Sequence, residues 1–174
     1  GIEAGNTSRN CAISNVYVQV RGGYSASNTG AGILLDAQTG FSGGIEIRTT
    51  YCLAFKYGVK MTGTNLANNT WTTVSLYNCW FAGSQLPTGS AGIYMDQYTN
   101  GIGTCMYGGT IEGYDTGILV EEGSYGGVFE TDMEGNATEY DVGVSFNGRI
   151  VSAFGIPAFS QAANGSGGPI WFSS

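Results

Sequence analysis

Apolar residues along this chain recur in a phrase anchored by glycine: glycine, apolar, any residue, apolar. It occurs at Gly32-Ile33-Leu34-Leu35, Gly58-Val59-Lys60-Met61, Gly92-Ile93-Tyr94-Met95, Gly117-Ile118-Leu119-Val120 and Gly143-Val144-Ser145-Phe146. A degenerate copy stands at Gly168-Pro169-Ile170-Trp171-Phe172, and the glycines are separated by 26, 34, 25, 26 and 25 residues. Between the copies lies a second alternating pattern: Val16, Val18 and Val20; Cys79 and Phe81; Tyr107, Gly109 and Ile111; Phe129, Thr131 and Met133. Ile45, Ile47, Tyr51, Leu53 and Phe55 form a looser version. A period of two is that of a half-buried strand, and no stretch carries the 3.6-residue period of an amphipathic helix. Each unit of about 25 residues is therefore expected to hold at least two short strands joined by Gly, Asn, Ser and Thr turns.

Short strands at a fixed interval fit few architectures. A propeller blade needs four strands in about 40 residues or more, and a leucine-rich repeat needs its Leu and Asn ladder. The pattern predicts an all-β chain, a right-handed parallel β-helix of about six coils at about 25 residues per coil. Ile33, Val59, Ile93, Ile118 and Val144 should stack in one inward column, with Leu35, Met61, Met95, Val120 and Phe146 beside them. Glycine suits the turns, whose backbones often need positive φ. The longest interval places extra residues in loops around Thr64–Thr70 or Gln85–Ser90. Residues 1–174 are read as a single domain, a segment of a longer chain; the opening at Gly1 without methionine fits either a processed chain or a fragment.

Composition narrows the chemistry. Thirty glycines and 11% charged residues argue against a helical protein. The absence of histidine removes Ser-His-Asp and Cys-His machinery and any His-based zinc site. A net charge of −7 disfavours nucleic acid and anionic membrane as partners. No segment is long and apolar enough to span a bilayer, and no cofactor is expected. Cys11, Cys52, Cys79 and Cys105 lack CxxC spacing and read as reduced thiols acting as small hydrophobes.

The stacked Gly-Ile-x-Leu strands and the phrase Val74-Ser-Leu-Tyr-Asn-Cys-Trp-Phe81 resemble the pectate-lyase-like right-handed β-helices. The aromatic, Gly- and Ser-rich style with few charges is most similar to bacteriophage tailspike and tail-fibre proteins, the polysaccharide depolymerases. The resemblance is architectural and carries no catalytic motif. It implies an extracellular virion-tail protein, assembled as a parallel homotrimer, that recognises bacterial surface polysaccharide. Two other readings compete: a non-enzymatic structural shaft or adhesin module, and a free-standing secreted polysaccharide-degrading enzyme.

Function should reside in residues that point out of the coils. In the glycine phrases these are Leu34, Lys60, Tyr94, Leu119, Ser145 and Ile170, apolar enough to predict a subunit interface unless loops of the same chain cover them. The second pattern turns Glu130, Asp132 and Glu134 outward on one strand. Alignment of Ile111-Glu112-Gly113 with Met133-Glu134-Gly135 stacks Glu112 on Glu134, and Phe81-Ala82-Gly83 one coil earlier brings Trp80 beside them. Tyr114, Asp115, Tyr140 and Asp141 are expected at the rim.

An aromatic ring beside carboxylates suits a sugar, which offers C–H faces to the ring and hydroxyls to the acids. Paired carboxylates can also cleave a glycosidic bond. On that reading Glu134 or Glu112 is the general acid, Asp132 its partner and Glu130 an auxiliary, with Trp80, Tyr114 and Glu130 binding substrate. Neighbouring strands lie about 4.8 Å apart and same-face neighbours about 6.8 Å apart, so both retaining and inverting geometries stay open. The competing readings are a solvated acidic face that keeps the sheet soluble and, for a metal, a Ca²⁺ site between coils without any recognised spacing.

Overall fold

The computed structural model describes residues 1–5, 9–37, 41–63, 70–83, 88–96, 104–121, 127–143, 148–151, 159–161 and 170–173. Among these there is strand and no helix, hence no helix long and apolar enough to cross a membrane. The strands form two sheets, and every pairing is parallel. One sheet holds seven strands: β1 (Ile2–Gly5), β4 (Ala31–Ala37), β7 (Tyr57–Gly63), β9 (Ala91–Met95), β11 (Thr116–Val120), β13 (Thr138–Val142) and β15 (Phe159–Gln161). The other holds β2 (Arg9–Ser14), β5 (Phe41–Arg48), β8 (Thr70–Ala82), β10 (Thr104–Glu112), β12 (Gly127–Glu134), β14 (Gly148–Val151) and β16 (Ile170–Ser173), with β3 (Tyr17–Gln19) and β6 (Tyr51–Leu53) leading onto β8. The chain passes back and forth between the sheets, so sequence neighbours such as β7, β8 and β9 are not all sheet neighbours.

The inward columns follow the expected register through four strands. Ile33, Val59, Ile93 and Ile118 are successive partners, as are Leu35, Met61, Met95 and Val120, and all are buried. The fifth copy differs. Ile118 pairs with Tyr140 and Val120 with Val142, so β13 occupies the place assigned to Gly143–Phe146, and residues 144–147 lie outside the described residues. The last copy also moves: Ile170 pairs with Gly148 and belongs to the nine-stranded sheet. Residues 64–69 and 84–87, where extra loop length was expected, lie outside the described residues.

Turn glycines such as Gly22, Gly113 and Gly135 do take positive φ, but the glycines of the phrase have another cause. Gly32, Gly58, Gly92 and Gly117 do not take positive φ. Each lies where the seven-stranded sheet meets a core side chain of the other sheet. A Cβ on Gly58 would stand 2.7 Å from Phe81 Cγ and 2.6 Å from the Gly92 carbonyl oxygen. Cys52, Ile111 and Met133 close in on Gly32, Gly92 and Gly117 in the same way. Glycine thus sets the distance between the sheets, which share one apolar cluster containing Ile33, Met61, Leu76, Phe81, Ile93, Ile111 and Phe129.

Positive φ appears at another corner. Val74 and Leu76 are buried on β8, and the buried positions then resume at Cys79 and Phe81, one residue out of step. Asn78, at φ 49°, carries the break. Asn15 (φ 56°), Thr49 (φ 45°) and Gly108 (φ 65°) mark the same corner on neighbouring strands. A residue in the left-handed region turns the strand and shifts which side chains face inward. That is why Cys52 is buried while Tyr51 and Leu53, expected to face inward, are half-buried.

Candidate functional site

The residues of the nine-stranded sheet that alternate with its core side chains fall into three rows, because parallel pairing holds each side chain beside its register partner. Beyond the left-handed corner one row reads Tyr17, Tyr51, Trp80, Thr110, Asp132. Two positions further along the strands lies Gln19, Leu53, Ala82, Glu112, Glu134. Before the corner the row is Ser14, Arg48, Tyr77, Tyr107, Glu130. The earlier strands therefore contribute aromatic rings and the later strands contribute acids.

Three of the rings are exposed, Tyr51 and Tyr77 are half-buried, and they meet in two pairs. Tyr17 is 62% exposed, Trp80 39% and Tyr107 37%. Tyr51 meets Trp80 edge to face with centroids 5.8 Å apart, and Tyr77 stacks on Tyr107 at 5.8 Å with the planes 22° apart. Arg48 places its guanidinium 4.2 Å from the Tyr77 ring centre and pairs with Glu46. That hydrogen-bonded pairing holds the Glu46 carboxyl below its ordinary range. The Tyr24 phenol is raised, first by partial burial and then by Glu112 and Tyr17, which puts it in the field of the second row.

Each residue singled out from the sequence has a definite place. Glu112 and Glu134 are direct register partners on β10 and β12, and Trp80 and Asp132 share the adjacent row with Thr110 between them. Glu130, Asp132 and Glu134 are all exposed, and Glu112 is half-buried. Thr131 turns the other way and donates to the Gly109 carbonyl at 3.1 Å. Adjacent strands bring Glu112 and Glu134 about 4.8 Å apart at the backbone, and Asp132 lies about 6.8 Å along the strand from Glu134. Among the described residues no group of three or more His, Cys, Asp or Glu is arranged to hold a metal ion.

Tyr114 requires a correction. It is 2% exposed, and its ring fills the space over Gly83, where a Cβ would stand 2.6 Å from Tyr114 Cδ1. Its hydroxyl is buried and has no hydrogen-bond partner among the described residues, and burial pushes the phenol well above its ordinary range. The Tyr114 backbone N–H donates to Asn136 Oδ1 at 2.9 Å, and Asn136 Nδ2 donates to the Ile111 carbonyl at 2.9 Å. Tyr114 is thus a core residue at a strand corner and not part of a rim. Tyr140 and Asp141 also leave the rim, because β13 belongs to the seven-stranded sheet and the Tyr140 side chain is 1% exposed. Asp115 accepts from the Gly89 N–H at 2.7 Å and so braces a turn.

Sequence reasoning missed the aromatic rows themselves. Tyr107 was expected to face inward, but the left-handed pair Gly108 and Gly109 reverses the phase of β10 and turns it out. A usable signal was present. Tyr77 and Tyr107 each follow a core residue, Leu76 and Met106, that are themselves register partners. No family model, curated protein or solved structure matches the chain.

Proposed function

We propose that the two parallel sheets are faces of a right-handed β-helix of about six coils and that its aromatic-to-acid face recognises bacterial surface polysaccharide, as in a tailspike-like protein. The observation that carries this reading is the in-register run of rings, exposed at Tyr17, Trp80 and Tyr107 and half-buried at Tyr51 and Tyr77, beside Glu112, Glu130, Asp132 and Glu134. Rings at successive strand spacings offer repeated platforms to an extended polymer, and a sugar stacks its C–H face on each. The carboxylates accept hydrogen bonds from hydroxyls at the far end. Glu112 or Glu134 with Asp132 also supplies the pair that glycoside hydrolysis needs, so cleavage is read in the same experiment.

The test is retention of purified capsule and lipopolysaccharide on the immobilised protein, followed by sizing of the recovered polymer. Wild type should retain at least one such polysaccharide, and Trp80→Ala should weaken retention by about tenfold, the scale on which a central aromatic anchor counts. Retention unchanged in a Tyr51→Ala/Trp80→Ala double variant overturns the site. Shortened chains that disappear with Glu134→Gln, Glu112→Gln or Asp132→Asn assign hydrolysis, and intact chains leave a binding module. The same reading places the outer face of the seven-stranded sheet between subunits of a homotrimer. There Leu34 and Leu119 are half-buried, and Lys60 lies 5.3 and 5.4 Å from the rings of Tyr57 and Tyr94. Sedimentation equilibrium decides it, a monomer mass being the adverse result.

A further inference from the structure

We infer that this face selects for polysaccharide without anionic groups, and that Glu112, Glu130, Asp132 and Glu134 set that selectivity by repulsion. The inference rests on the polysaccharide reading above and adds the class of polymer. Its basis is the distribution of charge over the three outward rows. One aromatic row runs from Tyr107 into Glu130 and the other from Trp80 through Thr110 into Asp132, with Glu112 and Glu134 in the row alongside, so a chain lying along the rings is carried onto the carboxylates. From Lys60 to Arg149 the sequence has no Lys, Arg or His between them to offset the acids. Arg48, on the aromatic side, is engaged by Glu46 and the Tyr77 ring. On the acidic side Arg149 pairs in register with Val128, two positions along β12 from Glu130.

A uronate, phosphate or sialic acid group delivered to the second row would face Glu112 and Glu134 on neighbouring strands. Like charges placed together across an interface act against a wrong partner as strongly as good contacts act for a right one. A neutral unit meets no such opposition, since its hydroxyls donate to the same oxygens. The acids thus serve as a filter whether or not they also cleave. Because most of them are exposed, the filter weakens as salt screens them.

The experiment immobilises wild-type protein and a Glu112→Gln/Glu130→Gln/Asp132→Asn/Glu134→Gln variant. Both meet a panel of purified bacterial polysaccharides of matched length, some neutral and some bearing uronate or phosphate. Circular dichroism confirms that the variant keeps the strand signature of wild type. Wild type should retain neutral chains about tenfold or more better than anionic ones at low salt, and the preference should narrow from about 0.05 M to about 0.5 M salt. The variant should lose the preference by gaining anionic chains, because its amide oxygens still accept hydrogen bonds. Wild type retaining anionic chains best overturns the inference and leaves polysaccharide recognition standing. A preference that survives in the variant removes the role of these four residues. Retention of no polysaccharide at all overturns the reading beneath it.

Discussion

Trp80 and Phe81 are consecutive on β8 yet belong to different worlds. Phe81 is fully buried and lies over Gly58, while Trp80 stands on the outer face beside Tyr51. The two columns that contain them, Cys52–Phe81–Ile111 and Tyr51–Trp80–Thr110, share one hydrogen-bond register and differ only in the side of the sheet they serve. The inner column is constrained by volume, since every atom faces a partner in the opposite sheet. The outer column answers mainly to its register partners, as Tyr51 does to Trp80, and is less constrained by volume, which leaves its chemistry freer to vary. A parallel sheet separates stability from recognition at the scale of one residue.

The comparison breaks hardest at Phe81. Phe81→Ala should cost about 3–5 kcal/mol in denaturant unfolding, because a buried ring leaves a cavity that the neighbouring strands cannot close. Gly58→Ala should cost about 1–3 kcal/mol through overpacking against the same ring. The double variant should be less destabilised than the sum of the two, since truncating Phe81 removes one of the atoms the new methyl meets. A residual cost should persist, because the Gly92 carbonyl at 2.6 Å remains in place. Strict additivity would mean that the sheets do not meet at this pair.

Alkaline pH probes the inner column without mutation. Burial pushes the Cys52 thiol from its ordinary value near 9 up to about 12, with Cys79 adding to the shift. The folded chain therefore holds a proton that the unfolded chain releases above about pH 9. The stability this contributes is full below that value and is lost as pH rises toward 12, by at most about 1.4 kcal/mol per pH unit for one proton. Unfolding followed between pH 8 and 11 should show that decline, and Cys52→Ala should make it shallower, the rest belonging to the Cys79 thiol and the Tyr114 phenol, both raised by burial. Alkylation of Cys52 in native protein at pH 8 would contradict its burial.

The smallest effect on stability belongs to Trp80. Trp80→Ala should change the unfolding free energy by no more than about 1 kcal/mol, the scale of one edge-to-face aromatic contact. A loss as large as that at Phe81 would make Trp80 a packing residue and remove the basis for treating its row as a recognition surface.

Much of this was legible from the chain. Alternation of apolar and polar residues revealed parallel strands, and the four copies from Gly32 to Gly117 fell into register because Ile and Val at those places can only face inward. The stacking of Glu112 on Glu134, one strand beyond Ala82, was legible for the same reason. The failures are equally physical. The phrase repeats at Gly143, whereas pairing follows the buried side chains of Tyr140 and Val142, with Glu139 standing where the other strands carry glycine. Tyr114 has a polar tip that suits a rim, yet its ring is needed over Gly83. The aromatic rows stayed hidden because a left-handed residue reverses the phase of a strand, and Thr49 gives no hint of that conformation in sequence.

The unequal spacing of register partners has a consequence for how such a chain changes through descent. Val59 and Ile93 are partners 34 positions apart, while Ile118 and Tyr140 are partners only 22 apart, yet both pairs occupy the same columns. Phase is kept by the strands, and the connections between them carry no phase at all. Lengthening a flexible connection twofold costs only about 0.6 kcal/mol of closure entropy, less than one misplaced methyl in the core. Insertions and deletions should therefore accumulate between the strands while the columns hold, and new surface can be acquired by lineages that never alter the interior.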